Sequence, residues 1–237
     1  MRMKRVDVFP ASVFCAQLGF PGNGEGDGLS KAELVEHVLA MRERSEPPTA
    51  NIAAWTGDVR GFEFIHKDPA FAPLFAAFEA AVMAYLEALG LDGAQLSLYF
   101  TRSWAVVARA GERVNRHAHL QSHLSTAYYL QKPALGGRIV LLSPSPPNEF
   151  APGLFESRLN PLFKGPRDGT NSNNVIVDVA EGDMVIFPSR TEHATEPHDS
   201  PDARITIVSD IVVALKDSTG KEFLLPEPAH WKQFSKG

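Results

Sequence analysis

Apolar positions along the chain change their period at about residue 95. Between residues 30 and 90 they recur every three or four positions, the spacing of a helix face; beyond 95 they recur every second position, the spacing of a strand. In the first part Ser30 and Glu33 form a capping-box pair ahead of Leu34, Val38 and Met41, which fall on one helical face. A second helix is predicted over "DPAFAPLFAAFEAAVMAYLEALG", with Asp68 as N-cap, Pro69 in the first turn and Gly90 as the stop. Its apolar face carries Leu74, Phe78, Val82, Tyr85 and Leu89 and is expected to cover a sheet.

In the second part Leu96, Leu98 and Phe100 alternate with polar neighbours, and the alternation reads on through Trp104, Val106 and Ala108. Further strands are predicted in "HLSTAYYLQ", "GRIVLL", "NVIVDV", "DMVIFP" and "ARITIVSDIVVAL", separated by turns such as Gly136-Gly137 and Glu181-Gly182-Asp183. This pattern suggests an antiparallel sandwich or barrel. The stretch 143–174 has no clear period, yet it carries Phe150, Leu154, Phe155, Leu159, Leu162 and Phe163; so long a loop is expected to act as a lid. The expected organisation is one domain over 1–237, helical from about 30 to 90 and β from about 95 to 215.

Composition narrows the classes. A chain of 237 residues with 44% hydrophobic and 22% charged residues is ordinary globular usage. The net charge of -5 and the lack of a basic run make nucleic acid an unexpected partner. The amino-terminal "MRMKRVDVFPASVFCAQLGF" pairs a basic head with apolar residues, but Asp7 and Pro10 break the apolar run, so a signal peptide is not expected. A lone cysteine, Cys15, fits a reducing compartment, and no apolar run is expected to approach the roughly 20 residues of a membrane span. The expectation is a cytoplasmic protein without a membrane partner.

Three of the eight histidines stand within seven positions of "GERVNRHAHLQSHLS": His117, His119 and His123. Alternate residues of a strand share a face, so His117 and His119 can both point inward, and a metal site would need a further donor from a distant segment. His193 in "FPSRTEHATEPHD" is the better candidate, because it follows the strand "DMVIFP", whereas His198 follows Pro197 in what reads as an exposed turn. His37, His66 and His230 are assigned no role. Arg204 opens "RITIVSD" and should share a face with Thr206 and Val208; a guanidinium there would need an anionic partner. Tyr129 lies an even number of positions from His117, so an unbroken strand would put its phenol on the histidine face.

Two families built on the double-stranded β-helix resemble these residues. A cupin first motif matches Gly111, His117 and His119, with His123 in the place of its glutamate; the second matches Gly182, Pro188 and His193, with Arg190 in the place of a glycine. The wider resemblance is to a bacterial family of 2-oxoglutarate- and Fe(II)-dependent oxygenases. It rests on Trp104, Gly111, His117-Ala118-His119 through Ser125, Tyr128-Tyr129-Leu130, Gly182-Asp183, Phe187-Pro188-Ser189, His193 and Arg204. Leu120 and Thr126 stand where that pattern has proline and glycine.

The oxygenase resemblance implies a mainly β protein with flanking helices (α+β): a jelly-roll or cupin-like double-stranded β-helix with the N-terminal helices packed on it. It implies Fe(II) on His117, His119 and His193, with His123 as the alternative to His119, and 2-oxoglutarate held by Arg204 and Tyr129. The implied reaction oxidises a small molecule or a side chain, with decarboxylation of 2-oxoglutarate to succinate. No separate catalytic residue is assigned, and a homodimer is left open. The alternatives are a cupin-type metal enzyme without 2-oxoglutarate and a non-catalytic metal-binding or sensing barrel.

Overall fold

The structure, a computed structural model, describes residues 4, 10–20, 29–45, 52–156 and 162–235. The first helix, α1 (Lys31–Arg44), begins where the sequence places it. The Ser30 hydroxyl accepts from the Glu33 backbone N–H, and the Glu33 carboxylate takes the Ser30 N–H at 2.8 Å. The second helix, α2 (Ala72–Ala88), follows a 3-10 turn, Pro69–Phe71, in which the Asp68 carboxylate accepts the Ala70 N–H at 3.0 Å. Gly90 ends it in the left-handed region (φ 83°) that glycine adopts without strain. Leu89, expected on the apolar face, is exposed because the helix ends one residue before it.

The described residues form ten strands: β1 (Phe14–Gln17), β2 (Trp55–Thr56), β3 (Leu96–Ala108), β4 (Leu124–Gln131), β5 (Ile139–Leu142), β6 (Asn174–Ile176), β7 (Asp183–Pro188), β8 (Glu192–Thr195), β9 (Arg204–Leu215) and β10 (Leu225–Pro226). The six expected strands are β3, β4, β5, β6, β7 and β9, in the expected order; the short β1, β2, β8 and β10 were not expected. The larger sheet runs β1-β7-β4-β9-β3-β2, antiparallel along this path, with β10 added parallel to β9. The smaller is β6-β5-β8. A cavity of about 420 Å³ is lined from both sheets, which makes the β core a double-stranded β-helix with its helices on the outside.

One departure decides what faces that cavity. In β3 the pairing with β9 passes from Phe100↔Ile211 to Arg102↔Asp210, so Thr101 is an extra residue and the strand bulges there. The bulge reverses the alternation expected to run unbroken. Leu96, Leu98 and Phe100 pack with the helices, but beyond Thr101 it is Ala105 and Val107 that do so, while Trp104, Val106 and Ala108 form a separate cluster on the opposite face. The bulge therefore delivers an indole to the cavity.

The helices cover the outer face of the large sheet through Leu34, Val38, Met41, Leu74, Phe78 and Val82, packed with Tyr128, Leu130, Ile186, Ile205 and Ile207. The stretch Pro69–Ala88 is in fact long and apolar enough to cross a bilayer, contrary to the sequence expectation; it reaches that length because Phe75, Phe78, Val82, Tyr85 and Leu86 are core residues of this domain. Phe78 is fully buried with its ring 5.5 Å from that of Tyr128. Phe78→Ala should lower unfolding stability by about 3–5 kcal/mol, read as a fall in the urea midpoint at unchanged slope. A loss below about 1 kcal/mol would mean that α2 does not carry the core.

Candidate metal centre

The site starts from a turn. After β3 the backbone reverses over Arg109–Glu112, closed by the Glu112 N–H to the Arg109 carbonyl at 2.9 Å, with Gly111 at φ 82° in the position that needs a positive angle. The chain then runs antiparallel to residues 189–198: Thr195 N–H to Val114 O at 3.1 Å, His117 and His193 exchanging both backbone bonds at 3.0 and 2.9 Å, and His119 N–H to Ser189 O at 3.0 Å. This pairing sets His117 opposite His193 and, by strand parity, turns His119 to the same side.

The three imidazoles converge. One ring nitrogen from each of His117, His119 and His193 lies within 4.8 Å of the others. The remaining nitrogens fix the tautomers: His117 Nδ1 meets the Asn115 carbonyl at 2.8 Å, His193 Nδ1 meets the Thr191 carbonyl at 2.9 Å, and His119 Nδ1 meets the Asp210 carboxylate at 2.6 Å. Each partner only accepts, so each Nδ1 carries the hydrogen and each Nε2 keeps its lone pair. Burial lowers the His117 pKa, and burial together with the neighbouring His117 pushes His193 down to about 3. Neutral imidazole is the form that binds a divalent metal.

On the same inner face β9 presents Arg204, Thr206, Val208 and Asp210 to the cavity. Arg204 is 1% exposed. Its Nη1 donates to Gly137 O at 2.8 Å and its Nε has no partner. Among the ion pairs of the described residues none engages this guanidinium. Burial lowers its pKa, and the nearby Tyr129 opposes that shift. Gly137 is required for this approach, since a Cβ there would lie 2.2 Å from the Glu196 carbonyl and 3.0 Å from Arg204 Nη1. Tyr129, pushed up to about 12 by burial and eased by Arg204, also lines the cavity.

Other expectations divide. His123 does not join the cluster: its Nδ1 accepts the Val213 N–H at 3.0 Å and its own N–H goes to Ile211 O, which ties it to β9. His198 is not in an exposed turn. It is fully buried, because its backbone pairs with the Gly111 turn and its Nε2 donates to Asp202 O at 2.6 Å. No residue from the described part of 143–174 lines the cavity; there Phe155 is buried against Phe163, with Arg167 over both rings. Leu159, counted in the expected lid, lies outside the described residues. Asp210 and Ser125 escaped the sequence reading. Asp210 sits six positions past Arg204, so the parity that placed Arg204, Thr206 and Val208 on one face also indicates it.

Residues 102–210 match the family described as "Putative 2OG-Fe(II) oxygenase". No curated protein matches the chain. Among solved structures, the non-heme alpha ketoglutarate dependent carbocyclase SnoK from nogalamycin biosynthesis is 18% identical over 86% of this chain and 82% of its own, with a TM-score of 0.50. HygX from Streptomyces hygroscopicus, solved with nickel and 2-oxoglutarate bound, is 12% identical over 85% and 83%, with a TM-score of 0.50. At these identities the likeness is one of fold.

The depressed His193 pKa sets a pH dependence for the metal-free protein. An unfolded imidazole takes up its proton near 6.5, the folded ring only near 3, so between these values the unfolded chain binds more protons. Stability should be full above about pH 6.5 and fall as pH drops toward 3, by at most about 1.4 kcal/mol per pH unit from this group. Urea unfolding at pH 7, 6 and 5 with chelator present, in wild type and His193→Gln, checks it. The variant should show the shallower dependence, and equal slopes would mean that His193 is solvated.

Proposed function

We propose that this chain, whose residues 102–210 match the 2OG-Fe(II) oxygenase family, is a 2-oxoglutarate- and Fe(II)-dependent dioxygenase acting on a small molecule or a side chain. The observation that carries the reading is the pairing, in one cavity, of three convergent imidazoles with a buried guanidinium that has no anion among the described residues. A buried cation without a counter-ion is costly, and its planar fork matches a carboxylate, so an anionic ligand is the natural partner of Arg204. Three imidazole nitrogens suit Fe(II), and held on one side they leave further coordination positions toward the cavity. HygX, on the same fold, holds nickel and 2-oxoglutarate, and this cavity offers groups for both.

His117, His119 and His193 would hold Fe(II), and Arg204 with Tyr129 would hold the distal carboxylate of 2-oxoglutarate. Bound together with O₂, these supply the oxidising power: 2-oxoglutarate loses CO₂, one oxygen atom enters succinate and the other enters the substrate. The protein's share is position and exclusion of water. Trp104, Val106, Val208 and Phe187 give the cavity an apolar wall, and Trp104 lies 5.5 Å ring to ring from His119. Near its polar residues, Arg102 pairs with Asp58 at 3.6 Å and Arg116 pairs with Glu192. A cytoplasmic setting belongs to this reading and is supported by the single cysteine.

Calorimetry under anaerobic conditions tests it. Wild type should take up close to one Fe(II) or Mn(II) per chain; His117→Ala and His193→Ala should each abolish uptake, while His123→Ala should lose far less. Retained metal binding in a variant that combines His117→Ala with His193→Ala would defeat the site assignment.

A second titration, with 2-oxoglutarate on the Mn(II)-loaded protein, separates the cofactor classes. Arg204→Ala should keep the metal and lose about 2 to 5 kcal/mol of 2-oxoglutarate binding, roughly 30-fold to several thousandfold, with poor rescue by Arg204→Lys. Succinate formation should follow the same order. A wild type that ignores millimolar 2-oxoglutarate as Arg204→Ala does would instead indicate a cupin-type metal enzyme.

A further inference from the structure

The three imidazoles have unequal partners behind them. His117 and His193 donate from Nδ1 to neutral backbone carbonyls at 2.8 and 2.9 Å, but His119 donates to the carboxylate of Asp210 at the shorter distance of 2.6 Å. Asp210 is 7% exposed. Its Oδ1 also receives the Ser125 hydroxyl at 2.8 Å; Ser125 Oγ lies 2.9 Å from Ser189 Oγ, which receives Ser122 Oγ at 2.8 Å. Each hydroxyl has one hydrogen, so the chain Ser122, Ser189, Ser125, Asp210 is consistent only if its donors all run toward the carboxylate. Arg102 stands opposite Asp210 in the β3–β9 register, yet its guanidinium is engaged by Asp58 and the Trp104 ring. His119 is therefore the outlet for the negative charge of Asp210.

We propose that Asp210 is a positioning residue that supplies the metal centre with negative charge through His119 without itself being a ligand. The inference rests on the metal-centre reading above. Three neutral imidazoles would leave a divalent ion with both of its positive charges. A carboxylate that accepts the Nδ1 hydrogen draws the proton toward itself, leaves more electron density on Nε2 and fixes the ring in its binding orientation. His119 becomes the strongest of the three donors, and the centre gains an anion in a place where oxygen ligands of the substrate cannot displace it. The bulge at Thr101 supports this placement, since the Thr101 hydroxyl donates to the Asp210 carbonyl at 3.1 Å.

Asp210→Asn keeps the shape and removes the charge. In Mn(II) and Fe(II) titrations it should bind about ten- to a hundredfold more weakly than wild type. The midpoint potential of the Fe(III)/Fe(II) pair should rise, because the lost negative charge had favoured the ferric ion; a purely structural role would not set that sign. In the Zn(II)-loaded wild type the Nδ1 proton of His119 should resonate furthest downfield of the three ligand histidines. That measurement needs no variant and stands even if Asp210→Asn fails to fold. Affinity and potential unchanged in Asp210→Asn, or a His119 proton no further downfield than those of His117 and His193, would overturn the role of Asp210. A wild type that takes up no divalent ion at all would be a different result, and would bring down the metal centre with it.

Discussion

The mutual backbone bonds between His117 and His193 hold the site together. They join a segment that follows β3 to the strand β8 of the smaller sheet, and they place two imidazoles side by side from positions far apart in the chain. Because side chains alternate in extended backbone, this one register also decides that His119 faces the same space. Slipping the register by one residue would turn both histidines of the HxH away from His193. The turn at Gly111 and the close approach at Gly137 matter because they let this pairing form beside Arg204.

The cavity is unusual in its charge. Burial disfavours the protonated forms of His117 and His193, while the cavity's cation, Arg204, lacks an anion among the described residues. The unpaired guanidinium costs stability in the ligand-free protein and a carboxylate beside it would relieve that cost, while the buried imidazoles are already in the form that binds a divalent cation near neutral pH. The surrounding fold tolerates this because the helices bury a large apolar face on the opposite side of the sheet. Function and stability thus occupy opposite faces of the same strands.

Much of the fold could be read along the chain. The capping box at Ser30, the stop at Gly90 and the change of period near residue 95 depend on neighbours within a few positions, so local propensity is enough to reveal them. That His117, His119 and Arg204 would face one cavity was legible because the resemblance to a known pattern and strand parity agree on it, and His193 was legible from the same resemblance and its place after the strand "DMVIFP". Tyr129 reached the cavity by a different route from the one its spacing suggested. The strand breaks at Leu120 and Gln121, and Tyr129 faces inward because it shares an inner face of β4 with Ser125 and Ala127.

What the sequence by itself determined was therefore the two helices, the six longer strands in their order and the residue types that carry chemistry, while the short strands β1, β2, β8 and β10 went unread. Tertiary structure alone decided the bulge at Thr101, which changes the face of Trp104; the burial of His198; the retirement of His123 to a backbone contact on β9; and the carboxylate of Asp210 behind His119. Each of these depends on a hydrogen bond between residues far apart in sequence, and the energy of such a bond appears in no local pattern, because it exists only when two distant strands have already settled their register.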